Sequence, residues 1–271
     1  ENMLAIERQR FIEEWAKSHG EVPICTLAKE LNVSVETIRR DINLLCERNI
    51  LKKVHGGAVP LKKMLREDAY EIRRMANREI KQALGICAAK MIEDNDICFF
   101  SSGSTIEFVA EAVQDVHNVT FITNSLQTAN ILQKKNICGD FTGEIIVIGG
   151  RLNPSERFMY GPVSYEQMEE LYVNKAFISA SAISCEGLMS TVIEEGHIAG
   201  YFFAKSPQRI VIAEGEKLGR ESIYRFAPLD GVNCLITDKN VFSVENPQNR
   251  KLKELKDRLA KSGAEIKLIE L

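Results

Sequence analysis

Arg39 and Arg40 stand side by side in a stretch, Val33 to Val59, that reads VSVETIRRDINLLCERNILKKVHGGAV. Adjacent guanidinium groups can fork onto guanine or clamp phosphate, provided a helix holds them outward. Ser34 carries the short hydroxyl that caps such a helix by accepting an orphan amide proton of the first turn. Behind it, Val35, Ile38, Ile42 and Leu45 recur at spacings of three and four, an apolar stripe that leaves Glu36, Thr37, Arg39 and Arg40 facing away.

The flanking residues supply what this helix needs to be positioned. Leu4 to Ser18 reads as a first helix with Ala5, Ile12, Trp15 and Ala16 inward, and Ile24 to Leu31 as a second with Leu27, Ala28 and Leu31 inward. Asn32 falls at the corner between two helices, where a residue tolerant of positive φ is required. Downstream, Ile50 to Val54 alternates apolar and basic residues, and His55-Gly56-Gly57 turns the chain back. That is a small wing whose lysines run along a phosphate backbone. The pattern implies a winged helix-turn-helix over residues 3–59. It would contact duplex DNA through Ser34, Glu36, Thr37, Arg39, Arg40, Lys52, Lys53, His55 and Gly56.

A charged amphipathic helix in an ordinary helical domain would show the same stripe, and charge distribution separates the two readings. From Arg39 to Arg66 there are eight Lys/Arg against two acids, a local charge of +6 in a chain whose net charge is −3. A basic patch on an otherwise acidic protein is the footprint of a nucleic-acid reader.

At 271 residues the chain can house this module and a second domain of roughly 190 residues. No window approaches the ~18 apolar residues that cross a bilayer. Glu7, Arg8, Arg10 and Glu13 interrupt any leader-like apolar run. The seven cysteines (Cys25, Cys46, Cys87, Cys98, Cys138, Cys185, Cys234) are odd in number and scattered, with no CxxC pair. They are expected as buried small hydrophobes in a reducing cytoplasm, with no metal and no cofactor. Residues 60–77, rich in Lys, Arg and Glu, read as a linker that becomes partly helical, its charges forming a solvated face.

From Arg78 onward short apolar runs alternate with helical patterns. Strands are expected at Ile97–Phe100, Val119–Thr123, Ile145–Ile148, Ala176–Ala180, Arg209–Ala213 and Cys234–Thr237. The helices expected between and after them span Ile80–Ile92, Thr105–Val113, Leu126–Gln133, Thr191–Ala204 and Gln248–Ser262. Apolar strands separated by helices imply a mainly parallel α/β sheet over residues 78–271, with ligands beyond the carboxyl ends of the strands. Polar residues follow three of these strands directly. They are Ser102, Gly103, Ser104 and Thr105; then Thr123 and Asn124; then Gly149 and Gly150. Ser104 and Glu107 have capping-box spacing. Free amides at a helix N-terminus, hydroxyls and glycine suit a phosphorylated, hydroxyl-rich ligand, although serine and asparagine are also ordinary helix caps. Neither a Walker loop nor a dinucleotide fingerprint is present.

The chain resembles the DeoR-type family of bacterial repressors. The likeness is carried by Thr37-Ile38-Arg39-Arg40-Asp41, Leu45, Leu51 and Val54-His55-Gly56-Gly57-Ala58 in the first part. In the second it is carried by Ser102 to Thr105, Thr123-Asn124-Ser125, Ile148-Gly149-Gly150, Gly161, Glu186-Gly187-Leu188, Lys217-Leu218-Gly219, Phe226-Ala227-Pro228-Leu229 and Thr237-Asp238. The resemblance implies a second domain similar in fold to ribose-5-phosphate isomerase. In that domain Ser102 to Thr105 would cradle phosphate, Thr123 and Asn124 would address sugar hydroxyls, and Lys217 would supply a cation. It departs from the family at Asn49, where glycine is usual, at Ser101, where many relatives carry an acid, and at Glu214-Gly215-Glu216 in place of Asp-Ser-Ser.

The expected function is a DNA-binding transcriptional regulator of carbohydrate metabolism, a repressor modulated by a phosphorylated sugar and acting as a homo-oligomer, dimer or tetramer, with no membrane partner. It is not expected to be an enzyme. The alternative is a sugar-phosphate isomerase carrying a DNA-binding appendage. Its acid/base residue would come from Glu186, Glu194, Glu195, His197, Glu214 or Glu216, His197 being the sort of histidine more often structural.

Overall fold

The computed structural model describes residues 5–19, 22–48, 50–54, 57–60, 70–239 and 249–270. Its contacts divide the chain into two compact units, Glu1–Asp68 and Ala69–Leu271.

The first unit holds three helices, α1 (Ala5–His19), α2 (Ile24–Glu30) and α3 (Val35–Glu47), with strands β1 (Val22–Pro23), β2 (Leu51–Val54) and β3 (Gly57–Pro60). The strands form an antiparallel sheet in the order β1-β3-β2, the β2–β3 hairpin being the expected wing. Ile12, Ala16, Leu27, Ala28, Ile38, Ile42, Leu45 and Leu51 are buried together. Asn32 turns the α2–α3 corner at φ 48°. Ala5 and Val35, expected inward, are exposed. At 3.6 residues per turn, Val35 lies at one margin of the stripe centred on Ile38, Ile42 and Leu45, and Asp41 at the other margin is drawn in instead.

The second unit is built on a seven-stranded, wholly parallel sheet. Its strands are β4 (Ile97–Phe100), β5 (Val116–Thr123), β6 (Phe141–Val147), β9 (Lys175–Ile178), β12 (Gln208–Ile212), β14 (Cys234–Asp238) and β15 (Glu265–Ile269), in the order β15-β14-β12-β9-β4-β5-β6. Helices on this unit are α4 (Tyr70–Met75), α5 (Arg78–Ala89), α6 (Ser104–Glu111), α7 (Leu126–Cys138), α8 (Pro162–Glu169), α9 (Ile193–Lys205) and α10 (Asn249–Lys261). Successive strand residues point to opposite faces and build two cores. Phe99, Ile178, Val211 and Leu235 pack with Ile198 and Phe202 of α9 and Leu255 of α10. Cys98, Phe100, Phe177, Ile210 and Ile236 pack with Leu84 of α5, Ile106 and Val109 of α6 and Leu132 of α7. Gly85 lets α5 approach α6 closely, because a Cβ there would meet the Phe108 carbonyl oxygen at 2.4 Å.

Two antiparallel features have no counterpart in the strand pattern: a hairpin of β7 (Arg151–Asn153) and β8 (Phe158–Tyr160), and a sheet of β10 (Ala182–Ser184), β11 (Gly187–Ser190) and β13 (Tyr224–Ala227). Strand β15 and helix α8 were likewise not expected. The cysteines depart from the expectation of burial: only Cys98 and Cys234 are buried, whereas Cys25 on α2 and Cys138 at the end of α7 are exposed. All seven are free thiols.

Of the expected linker, residues 61–69 lie outside the described residues. Beyond them α4 keeps Glu71 on a solvated face, as expected, but its two arginines are drawn in against carboxylates. Arg73 pairs with Glu156, Glu71 with Arg157, and Arg74 with Glu107 (2.9 Å) and Glu111 (3.5 Å). Tyr70 is buried beneath the Arg157 guanidinium, 4.6 Å from its ring centroid.

Candidate functional site

In the first unit Ser34 does what its position suggests: its Oγ accepts the Thr37 amide at 3.0 Å and lies 2.7 Å from the Thr37 hydroxyl. The capped first turns of α3 then present Glu36, Arg39 and Arg40 to solvent. Arg39 shares an exposed ion pair with Glu36 at 3.3 Å. Such a pair stabilises by only about 0.3–0.5 kcal/mol, so it yields readily to a phosphate or base. Asp41 is tied inward, accepting Arg8 Nε at 2.5 Å and Gln9 Nε2 at 3.1 Å, which bolts α3 to α1. A concavity of about 470 Å³ opens there, lined in part by Arg8, Ser34, Thr37 and Arg40. Lys53 is exposed on β2. His55, Gly56 and the side chain of Lys52 lie outside the described residues, as does Asn49.

In the second unit the residues named from the strand ends gather along the carboxyl edge of the parallel sheet. The loop after β4 is almost fully buried, with Ser102 3%, Ser104 6% and Thr105 3% exposed. Gly103 is the N-cap of α6 at φ 117°, and a Cβ there would meet Ser179 Oγ at 2.6 Å. The expected capping box between Ser104 and Glu107 is not formed. Glu107 is fully buried and turned away to Arg74, and burial, with Glu111 adding to it and Arg157 opposing, pushes its carboxyl up to about 8.

The loop hydroxyls are held by two carboxylates. Ser102 Oγ donates to Glu195 Oε1 at 2.9 Å, and Thr105 Oγ1 to Glu214 Oε1 at 2.8 Å. Glu214 Oε2 lies 3.6 Å from the ammonium of Lys81, which is 1% exposed. Desolvation lowers the pKa of Lys81, Glu214 opposes that shift, and the nearby charge of Lys217 adds to it. Lys217 ends a 3-10 turn, Gly215–Lys217, whose first amide donates to Asp238 Oδ1 at 2.6 Å. The sequence pattern did not single out Lys81. The available signal was a lysine on the buried stripe of α5 with Leu84, Gly85 and Ala88.

The second and third loops differ in what they leave open. Thr123 is fully buried and its hydroxyl accepts the Ser125 amide at 3.1 Å. Asn124 donates to the Met159 carbonyl at 3.1 Å, while its Oδ1, also buried, has no hydrogen-bond partner among the described residues. Gly149 is already engaged by α8: its amide donates to Gln167 Oε1 at 2.8 Å and its carbonyl accepts the Ser164 hydroxyl. Gly150 adopts φ 138° against the Tyr160 carbonyl. Among the acid/base candidates only Glu195 and Glu214 hydrogen-bond to the loop after β4; His197 is exposed and packs edge-on against Tyr165 at 4.6 Å. Among the described residues no group of three or more His, Cys, Asp or Glu could hold a metal ion, and no helix is long and apolar enough to cross a membrane.

Two family models match the chain: a DeoR-like helix-turn-helix domain over residues 8–64 and a DeoR C-terminal sensor domain over residues 76–239. The HTH-type transcriptional regulator IolR of Bacillus subtilis is 30% identical over 238 residues, 87% of this chain and 92% of its own. The HTH-type transcriptional repressor GlcR of the same organism is 32% identical over 236 residues, 86% and 88% of the two chains. Among solved structures, a D-ribose-5-phosphate isomerase in complex with phospho-erythronic acid aligns at a TM-score of 0.39 and 14% identity, covering 53% of this chain and 55% of that one.

Proposed function

The chain belongs to the DeoR family of helix-turn-helix transcriptional regulators, and on that premise we propose that it is a cytoplasmic repressor of carbohydrate genes released by a phosphorylated sugar. A homo-oligomer would set two α3 helices on successive half-sites of operator DNA. Arg39, Arg40, Lys52, Lys53, Ser34, Glu36, Thr37, His55 and Gly56 form its DNA face. The observation that carries this reading is the outward pair Arg39 and Arg40 on a helix capped by Ser34 and fastened to α1 through Asp41.

The effector would bind where Ser102 to Thr105 open α6, with Thr123, Asn124, Gly149 and Gly150 along the same edge and Lys217 as cation. The buried, unpartnered Asn124 Oδ1 supports a ligand donor there. Effector binding would shift operator affinity by a coupling energy of about 1–3 kcal/mol. The sensor site serves recognition and not turnover.

A mobility-shift assay on operator DNA tests this. Arg39→Ala and Arg40→Ala weaken the complex, and a sugar phosphate releases wild-type protein while leaving no product behind. Unchanged operator affinity in both variants would discard the proposed DNA face.

A further inference from the structure

Arg157, in the β7–β8 hairpin, faces two ways. Its backbone carbonyl accepts the Leu126 amide at 3.0 Å, at the start of α7. Its guanidinium pairs with Glu71 and lies 4.6 Å from the ring centroid of buried Tyr70, both on α4. Arg157 holds φ at 58°, a left-handed value that a long side chain keeps only where its surroundings fix it.

Further bonds tie the hairpin to the sensor edge. The Met159 amide donates to the Asn124 carbonyl at 2.8 Å, and Asn124 Nδ2 donates to the Met159 carbonyl at 3.1 Å. A carbonyl only accepts, so the Asn124 amide keeps its nitrogen on the hairpin and its other end, the buried Oδ1, for a donor. One planar group therefore holds β8 while offering an acceptor to a ligand. Strands β7 and β8 are three residues each and form a two-stranded sheet of their own, bridged to the loop between Ser125 and Phe158. Such a hairpin is marginal by itself and takes its position from its neighbours. Here they include the Asn124 loop and α4, the helix that opens the second unit in the chain. The clasp on α4 is weak, because Arg157 and Glu71 are 37% and 61% exposed, so one ligand hydrogen bond at Asn124 is enough to shift it.

We propose that the β7–β8 hairpin couples the sensor site to α4, with Arg157 as its contact there. A ligand donor engages Asn124 Oδ1 and turns the amide that holds Met159. The hairpin passes that displacement through Arg157 to α4, and so to the chain leading back to the first unit. Arg157 touches neither ligand nor DNA in this scheme. The inference rests on the reading of Asn124 as part of the sensor site.

Fluorescence anisotropy on operator DNA tests it with the full chain, with and without saturating sugar phosphate. The probe is whichever of glycerol 3-phosphate, ribose 5-phosphate, fructose 1-phosphate and glucose 6-phosphate binds wild-type protein most tightly by calorimetry. In wild-type protein it changes operator affinity by about 5–150-fold. Arg157→Asn, chosen because asparagine tolerates the left-handed backbone, brings that ratio to about twofold or less and keeps the calorimetric affinity within about threefold. An undiminished ratio overturns the proposal, and so does joint loss of ligand binding, which would make Arg157 part of the site. If wild-type protein binds none of the four, or binds one with no change at the operator, the sensor reading fails by itself, and hydrogen exchange still decides the coupling. Asn124→Ala, which loses the Nδ2 donor, raises amide exchange across Tyr70–Met75 by about tenfold or more with β4 and β9 still protected, and adds nothing in an Arg157→Asn background. Asn124→Ser takes its place if β4 and β9 lose protection. Exchange at α4 that ignores Asn124, or that responds equally without Arg157, overturns the proposal.

Discussion

The ammonium of Lys81 lies 3.6 Å from the carboxylate of Glu214, with only 2% and 4% of the two side chains exposed. Lys81 also donates to the Arg73 carbonyl in the last turn of α4 and, at 2.9 Å, to the Ala76 carbonyl just beyond it. One buried cation therefore serves a helix terminus and the acid that holds Thr105. Removing charges from water costs several kcal/mol each, and only such a full set of partners offsets that cost.

Lys81→Met should therefore destabilise the second unit by about 3–5 kcal/mol, because Glu214 is left charged and buried. Lys81→Met combined with Glu214→Gln should recover a substantial part. The sole tryptophan, Trp15, lies on α1 and reports the first unit, so far-UV circular dichroism during urea unfolding is the measurement. A double variant no more stable than the single one would mean that the pair is not what holds this region.

Glu107 gives the second unit a pH dependence of definite sign. Its carboxyl is pushed up to about 8 from 4.5 by burial, and Oε1 has no hydrogen-bond partner among the described residues while Oε2 accepts Arg74 Nε. The folded state thus keeps a proton that the unfolded chain releases near pH 4.5. Between those values folded protein binds more protons, so this group's contribution to stability falls as pH rises from about 4.5 to 8 and is flat above. Glu107→Gln should remove on the order of 2–4 kcal/mol of that pH-dependent loss. Urea midpoints at pH 5.5 and 8 for both proteins measure it; identical slopes would refute the assignment.

These two residues also mark where sequence reading stopped. The α3 cap at Ser34, the positive φ at Asn32 and six of the seven parallel strands were legible, because each depends on neighbours a few residues away. The spacing of Ser104 and Glu107 also matched a local rule, and there tertiary burial won: Glu107 turns from the helix end to Arg74 of α4. Lys81 acquires its meaning from Glu214, far along the chain, and no local pattern encodes that meeting. The three-residue strands β7, β8 and β10 are fixed by the partner they pair with, not by an apolar run of their own. Ser102 and Thr105 were found from their place after a strand; the acids that occupy them, Glu195 and Glu214, were visible only as departures or as candidate bases.

Asp41 offers a separate test in the first unit. Its side chain is 4% exposed and joins α3 to Arg8 and Gln9 of α1. Asp41→Ala removes the ion pair that ties Arg8, with 11% of its side chain exposed, to α3 and also the acceptor of Gln9, and should cost about 1–3 kcal/mol. Trp15 fluorescence follows that unit directly. Operator affinity should fall with the folded fraction and recover on cooling toward the temperature of maximum stability. A loss of DNA binding with an unchanged Trp15 melting midpoint would instead make Asp41 a contact residue.

Arg39 and Arg40 are adjacent but not equivalent. Arg39 is shared with Glu36, while Arg40 has no ion-pair partner among the described residues and lines the concavity beside α1. Releasing Arg39 from Glu36 offsets little of what a DNA contact contributes, so each arginine is expected to matter, through different terms. Arg40→Ala should weaken operator binding by about 1–3 kcal/mol. If Arg40 meets phosphate, the slope of log affinity against log salt drops by about one and all sequences suffer alike; if it meets a guanine, the slope holds and discrimination at one base pair relaxes. Glu36→Ala should strengthen binding to any DNA by removing an acid that faces the backbone phosphates, with Arg39 freed at the same time. Fluorescence anisotropy over a salt series, on operator and scrambled duplexes, separates these cases. A Glu36→Ala variant that binds both duplexes more weakly would show that the acid itself accepts from a base, and the roles of Glu36 and Arg39 on α3 would then be reversed.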